Sequence, residues 1–332
     1  MQRENAGTWA RCPEKEILNL GHSAMQPQYH PIVVPEIVDG KHVLILWSPG
    51  GPTRPYKAKL GLAARYAHIV VDECHRIPAP SFEGVLKTFK ARYVLGLTAT
   101  PYRQDGMERI LLHQCGPVRF TSDSAGLTLG KTVVMRTTGF GIPPEHGEKP
   151  AYHILAELLA HNEMRNTVVA TDIVTAVMQD RRVLVLADRT DHVDELQRRV
   201  ADGLARDGYV GRLFKLDSQM GIKSRRATHG AIDEACQTDQ GVCIFATGSL
   251  IGEGFDLPAL DTLVLASPIS FKGRLIQYAG RLHRAAERKH DVRIHDYVDA
   301  SSPVMLKMCR KRRKAYETMG YQIEELPSQA PE

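Results

Sequence analysis

The sequence predicts an α/β protein built from two doubly wound parallel sheets in succession. Three observations predict it. Short apolar runs such as Ile69-Val70-Val71 and Val183-Leu184-Val185-Leu186 read as buried parallel strands. Helical patterns alternate with such runs, first between Val43 and Leu97 and again from Arg182 to Val298. Acidic, hydroxyl-bearing and glycine-rich blocks follow several of the strands, at the carboxyl ends where open α/β sheets place their ligands. A chain of 332 residues is long enough for two compact domains.

Taken in order, Val43-Leu44-Ile45-Leu46 reads as a strand, and Tyr56–Tyr66 is compatible with a helix. His68–Val71 is a strand, Phe82–Phe89 a helix and Tyr93–Leu97 a strand. Thr121–Pro150, with Gly139-Phe140-Gly141-Ile142-Pro143-Pro144, reads as the end of one domain and a connector. Amphipathic helices are expected over Ala151–Asn162 and Glu163–Gln179. Strands follow at Val183–Leu186, Gly211–Lys215, Val242–Phe245, Thr262–Leu265 and Val292–Val298, with helices between them. Ser301 or Ser302 can cap a last helix, and Pro303 suits its first turn. The expected domains are 1–140, of which 1–60 is divergent, then a connector at 141–165, a second domain at 166–300 and a basic helix and tail at 301–332.

Composition narrows the class. The chain is 43% hydrophobic and 24% charged, ordinary for a globular protein, with no apolar stretch of membrane-spanning length. Its N-terminus lacks the apolar core of a signal peptide. Six scattered cysteines without a CxxC pair indicate neither a zinc site nor a disulfide framework, and fit a reducing cytoplasm. A net charge of +5 permits nucleic-acid binding without requiring it. The basic run Lys307, Arg310, Lys311, Arg312, Arg313 and Lys314 has two readings, a solvated helix face or a phosphate-contacting surface.

The residues with chemical potential lie in ordered blocks. Asp72-Glu73-Cys74-His75 follows the strand ending at Val71. One carboxylate there can hold a magnesium ion on a nucleotide, and the next can position or deprotonate an attacking water. Thr98 and Thr100 flank Ala99 at the next strand end, where their hydroxyls can bond the acidic block or simply cap the strand. Asp188-Arg189-Thr190 follows a later strand; Arg189 is open to nucleic-acid contact and Thr190 to capping the next helix. Thr247 and Gly248 pair a hydroxyl with backbone that a phosphate can approach closely. Gln277, Arg281 and Arg284, spaced four and three apart, share one face of an expected helix, and two guanidinium groups so placed can neutralise charge on a phosphate. Gly280 within that helix suggests a tight approach.

Asp72-Glu73-Cys74-His75, Gly96-Leu97-Thr98-Ala99-Thr100-Pro101, Ala246-Thr247-Gly248 with Gly252-Glu253-Gly254-Phe255-Asp256, and Gln277-Tyr278-Ala279-Gly280-Arg281-Leu282-His283-Arg284 together resemble motifs II, III, V and VI of the superfamily 2 helicases of DExH type. The likeness extends from about Tyr66 to about Tyr321. It is closest to the DEAD/DEAH box branch related to excision-repair helicases and type III restriction translocases. The resemblance implies RecA-like domains and hydrolysis of ATP with Mg2+. It implies that Asp72 holds the metal through water, Glu73 activates the hydrolytic water, and His75, Thr98 and Thr100 couple hydrolysis to movement. It implies further that Thr247 and Gly248 touch nucleic acid, that Gly254 and Asp256 contact the nucleotide ribose, and that Gln277, Arg281 and Arg284 complete the catalytic set, the two arginines as fingers. DNA is the partner it implies, ahead of RNA.

One expected block has no match. A motor of this class carries a phosphate loop, GxxxxGK[ST], ahead of the acidic block. Gly40-Lys41-His42 lacks both the leading glycine and the hydroxyl residue; Ser48–Thr53 lacks the lysine. Leu129-Gly130-Lys131-Thr132 has the right ending, but Ala125 stands where the first glycine belongs and the block follows Thr98, so it reads as a turn entering a strand. Only 71 residues precede Asp72. The first domain is therefore expected to be N-terminally incomplete, its phosphate loop supplied by another chain or segment. The main reading is an ATP-dependent DNA helicase or translocase; the alternative is a truncated or ATPase-deficient nucleic-acid-binding module that needs an N-terminal half from elsewhere. Without the loop's amides and lysine, the expectation is slow hydrolysis little changed by Glu73→Gln.

Overall fold

The computed structural model describes residues 32–38, 41–47, 68–78, 86–87, 91–98, 106–121, 129–147, 149–216, 220–248, 257–269, 272–284, 286 and 289–327. Thr100, Gly254, Asp256, the segment Tyr56–Tyr66 and most of Phe82–Phe89 lie outside the described residues. The chain divides into two compact units, Met1–Arg119 and Phe120–Glu332.

The first unit contains a four-stranded sheet in the order β1 (Ile32–Val38), β2 (Lys41–Trp47), β3 (His68–Val71), β4 (Tyr93–Gly96). β1 and β2 are an antiparallel pair, while β2–β3 and β3–β4 are parallel. Pro35 has no N–H to give a ladder and stands on the edge strand, where that costs least. Lys41 and His42 thus belong to a strand, as suits a segment without the phosphate-loop pattern. Ile69, Val71, Cys74, Ile77, Leu86 and Leu111 form a small core, the last from α1 (Glu108–Cys115).

The second unit is a seven-stranded sheet in which every pairing is parallel. Its strands are β5 (Gly130–Thr137), β6 (Arg182–Ala187), β7 (Arg212–Leu216), β8 (Val242–Thr247), β9 (Thr262–Leu265), β10 (Asp291–Val298) and β11 (Gln322–Leu326), in the spatial order β11-β5-β10-β9-β6-β8-β7. Helices α2 (Tyr152–Ala160), α3 (Glu163–Met178), α4 (Thr190–Arg206), α5 (Ile222–Cys236), α6 (Lys272–Leu282) and α7 (Pro303–Thr318) complete it. Side chains alternate across a strand, so one strand serves two cores. Leu184 and Leu186 pack with residues of α5, α6 and α7, while Val183, Val185 and Ala187 pack with α3 and α4. Each fully buried Leu or Val contributes roughly 1.5–3 kcal/mol.

The domain boundaries differ from expectation. The first unit ends at Arg119, not near 140, and Gly130–Thr137 is an interior strand between β10 and β11. The stretch read as a connector at 141–165 packs into the second unit: Phe140, Leu155, Leu159 and Met305 form one cluster. Asn162 caps α3 by accepting from the Arg165 N–H at 2.9 Å. Arg165 is fully buried; its Nε donates to Asp299 Oδ1 at 3.0 Å, Nη1 donates to the Ala266 carbonyl at 2.7 Å, and its guanidinium lies over the Tyr297 ring.

The terminal basic helix is part of the fold. Ser302 caps α7 by accepting from the Met305 N–H at 3.4 Å, with Pro303 in the first turn as expected. Of its basic run, Arg312 is 3% exposed, a correction to both surface readings. Its Nε and Nη2 donate to the two carboxylate oxygens of Asp296 at 2.7 and 2.8 Å, and the Tyr316 hydroxyl donates to Asp296 Oδ2 at 2.8 Å. Arg312 falls on the buried stripe with Met308 and Tyr316 at helical spacing, which is why it cannot face phosphate. Lys307, Arg310, Lys311, Arg313 and Lys314 are exposed.

Candidate nucleotide and nucleic-acid sites

In the first unit the acidic block and the threonine block are laced together beyond the ends of their strands. Leu97 N–H donates to the Val71 carbonyl at 2.8 Å, and Cys74 N–H donates to the Leu97 carbonyl at 2.9 Å. Between those bonds the chain turns sharply. Glu73 has φ 50° and ψ 44°, left-handed backbone that a non-glycine residue adopts only under local constraint. Its N–H donates to Asp72 Oδ1 at 2.8 Å, which fixes the neighbouring carboxylate.

His75 sits on a single 3-10 turn, Cys74–Arg76, and joins the two blocks. Its Nδ1 is 3.0 Å from Thr98 Oγ1 and 3.1 Å from Glu73 Oε2. A bare Nδ1 would turn its lone pair on the glutamate oxygen. With Nδ1 protonated, both contacts are attractive, so the geometry favours Nδ1–H. The Thr98 hydroxyl therefore engages the block through His75.

Cys74 and Cys115 close the base of this turn. A Cβ placed on Gly96 would fall 2.8 Å from Cys74 Sγ and 2.9 Å from Cys115 Sγ, so glycine is required there by close approach. The hydrogen bond to Cys115, and then burial, push the Cys74 thiol well above its ordinary range. Cys74 is thus a packing residue within the acidic block, not a nucleophile.

In the second unit the candidate residues gather at the carboxyl edge of the sheet. Thr247 ends β8 and Gly248 follows it. The Tyr278 hydroxyl on α6 donates to the Gly248 carbonyl at 2.7 Å. A Cβ on Gly248 would lie 2.9 Å from that hydroxyl and 3.7 Å from Asp188 Oδ1, so this glycine is held small by its neighbours. Asp188 follows β6, and its N–H donates to Ser267 Oγ at 3.0 Å. Arg189 is engaged by Asp191, with Nη2 donating to Oδ2 at 2.5 Å. Thr190 is the first residue of α4, and Arg189 stands at the N-cap position with no side-chain capping bond.

α6 carries Gln277 and Arg281, both half-buried, but ends at Leu282. Arg284 therefore lies past the helix and is exposed, a correction to the expected single face. Gly280 is exposed, and a Cβ there would meet nothing within 4 Å, so the expected tight approach is not what places glycine at this position. Past the helix end His283 bonds the Tyr321 hydroxyl at 2.8 Å; burial first, then Lys131 and Lys289, pull its imidazole down to about 4. Tyr278 and Asp188 were quoted within sequence blocks without a role. Their signal is spatial, because the residues they bind come from other strands.

Comparison with known proteins shows what the chain as a whole is similar to. A family model described as the res subunit of type III restriction enzymes matches residues 53–103, which include the acidic block. Protein 161L of Invertebrate iridescent virus 6, named as a helicase, is 28% identical over 80% of this chain and 58% of its own length. D10 of Escherichia phage T5, also named as a helicase, is 25% identical over 71% of this chain and 50% of its own. The chain thus spans about half the length of these curated relatives. A solved fragment assigned to the HsdR subunit of a type I restriction enzyme from Vibrio vulnificus shares the fold, with TM-score 0.59, 20% identity and coverage of 82% of this chain and 51% of that one. With the four blocks in order, the acidic turn tied to its threonine strand and the all-parallel sheet, the chain is similar to the superfamily 2 helicases.

Proposed function

We propose that this chain carries the working parts of an ATP-dependent translocase or helicase that moves on DNA. The observation that carries the reading is the bridge from Glu73 through His75 to Thr98, which ties the hydrolytic carboxylate to the strand end expected to transmit movement.

The donor set of the acidic turn, two carboxylates at a strand end, consists of hard oxygen ligands and fits Mg2+. Bound Mg2+ would neutralise charge on the ATP phosphates. Asp72 would hold that ion through water. Glu73 orients the attacking water and accepts its proton. His75 holds the glutamate and senses Thr98, with Thr100 in the same coupling role. Thr247 and Gly248 hold a nucleic-acid phosphate, Gly254 and Asp256 the ribose, and Gln277, Arg281 and Arg284 the γ-phosphate. The scattered cysteines make a reducing cytoplasm the proposed setting. Among the described residues, no helix is long and apolar enough to cross a membrane.

The residues given carry no GxxxxGK[ST] signature, so the proposed grip on the phosphates comes from other residues, from a further segment or from a partner chain. The likeness to helicases favours a working grip over a binding module, and reverses the expectation of slow hydrolysis insensitive to Glu73→Gln that the missing signature alone suggests. The test is hydrolysis of ATP by the purified chain with and without single-stranded DNA. Acceleration by DNA is expected. A rate indifferent to DNA would reduce the chain to a nucleic-acid-binding module.

A further inference from the structure

We propose that the cavity between α3 and the strands β5, β10 and β11 binds a small hydroxylated oxyanion, hydrogen phosphate or a short hydroxycarboxylate. The cavity has a volume of about 300 Å3, at the low end of the range for small-molecule sites. Alternate residues of each strand line it: Val134 and Arg136 from β5, Arg293 and His295 from β10, and Glu324 from β11. The register sets His295, Val134 and Glu324 in one row across the three strands. Arg293 lies near the start of β10, and Gln179, also in the lining, just past the end of α3. The cavity therefore lies toward the amino ends of the strands. It is separate from the carboxyl edge that carries Thr247 and Gly248, and independent of the helicase reading.

An orphaned imidazole points to the ligand. His295 is 7% exposed, and among the described residues neither of its ring nitrogens has a hydrogen-bond partner. Its Nδ1 stands 3.9 Å from Asp172 Oδ2, too far for a hydrogen bond. That carboxylate is already engaged. Arg136 donates to it from Nε at 2.8 Å and from Nη2 at 2.7 Å, and the Tyr297 hydroxyl donates at 3.2 Å. Arg293 Nε is likewise buried without a partner among the described residues, although Nη1 of the same side chain donates to Gln179 Oε1 at 3.4 Å. Buried polar groups left unpaired are rare, because each has given up its hydrogen bonds to water.

The chemistry of these groups selects the ligand. Burial first, then Arg293, Arg136 and Arg181, pulls the His295 imidazole down to about 3, so it is neutral near pH 7. A neutral imidazole offers one N–H and one lone pair. Arg293 Nε–H is a second donor. The guanidinium groups around the ring favour an anion there, and Glu324, the opposing charge, is exposed where solvent screens it. An oxyanion can accept from the imidazole N–H and from Arg293 Nε–H, while a hydroxyl of the same ligand donates to the remaining ring nitrogen. Hydrogen phosphate and hydroxycarboxylates carry both groups. Sulfate and acetate lack the hydroxyl.

The test is NMR of the histidine ring nitrogens in the purified chain, titrated at neutral pH with phosphate or glycolate and, at equal ionic strength, with sulfate or acetate. The His295 signals, identified by their loss in His295→Gln, are expected to shift saturably with phosphate or glycolate and far less with sulfate or acetate. The tighter of the first two tells a free phosphate from a hydroxycarboxylate. Arg293→Gln is expected to weaken this binding about tenfold. Arg293 is partly exposed, so this variant is expected to fold, as thermal unfolding would show, and it keeps the test decisive if His295→Gln does not fold. An equal response to sulfate or acetate would make the cavity a non-specific anion contact and overturn the proposal. Unmoved His295 signals, or binding unchanged by Arg293→Gln, would overturn it as well and leave a water-lined cavity.

Discussion

His75 Nδ1 and Thr98 Oγ1 stand 3.0 Å apart, joining an acidic turn to the strand end 23 residues later in the chain. Because the same nitrogen faces Glu73, loss of the threonine hydroxyl is expected to loosen the hold of the histidine on the glutamate. Thr98→Val is expected to lower DNA-stimulated ATP turnover about tenfold with little change in the KM for ATP, and Thr98→Ser to restore it. Steady-state kinetics of the three proteins check this. A rise in KM at constant turnover would place Thr98 in substrate binding instead.

The Gly248–Tyr278 contact gives a paired test. Gly248→Ala drives a methyl to within 2.9 Å of the Tyr278 hydroxyl, and is expected to displace the loop and weaken oligonucleotide binding several-fold. Tyr278→Phe removes the offending oxygen while keeping the buried ring. The loss caused by Gly248→Ala should therefore be smaller in a Tyr278→Phe background, a non-additivity readable in a double-mutant cycle.

Arg312 and its neighbours on α7 should separate cleanly by stability. Arg312→Met leaves Asp296 buried and unpaired, and is expected to cost about 3–5 kcal/mol. Arg310→Gln and Lys311→Gln, on the exposed face, should stay within about 0.5 kcal/mol of wild type. Urea unfolding of the three variants decides it. Any effect of this helix on DNA affinity must come from its exposed residues and not from Arg312.

Acid should destabilise the second unit through buried imidazoles. Burial, then the charge of Arg165, pulls His192 down to about 3; burial, then Arg293, Arg136 and Arg181, does the same to His295; His283 falls to about 4. The unfolded chain binds these protons near the ordinary value of 6.5, the folded chain only far below it. Stability is therefore fully present above pH 6.5 and is lost as pH falls from there toward 3. The slope reaches about 1.4 kcal/mol per pH unit for each proton taken up. The carboxyls of Asp172 and Asp261, which burial pushes up, work in the opposite sense and blunt it. Thermal unfolding between pH 5 and 8 should show the trend, weakened in a His192→Gln variant.

What could be read from the sequence follows physical rules. Val183–Leu186, Val242–Phe245, Thr262–Leu265 and Val292–Val298 were legible because interior strands of a parallel sheet are unbroken apolar runs. β5 was not recognised as an interior strand of the second sheet, because Lys131, Thr132 and Arg136 interrupt its apolar pattern and its partners lie at 291–298 and 322–326. β11, Gln-Ile-Glu-Glu-Leu, carries the charges of an edge strand and no apolar run. The acidic block was visible, but the left-handed backbone at Glu73 and the threonine contact through His75 depend on packing. Arg312 was readable in principle: a basic residue in register with Met308 and Tyr316 lies on the apolar stripe of its helix and needs a buried acid, found in Asp296.

The most direct measurement is ATP hydrolysis by the purified chain in saturating single-stranded DNA, wild type beside Glu73→Gln. We expect a DNA-stimulated rate that falls at least about a hundredfold in the variant, with binding of the oligonucleotide retained. Hydrolysis that is negligible, or unchanged by Glu73→Gln, would contradict the assignment of the acidic turn as the hydrolytic centre of this chain.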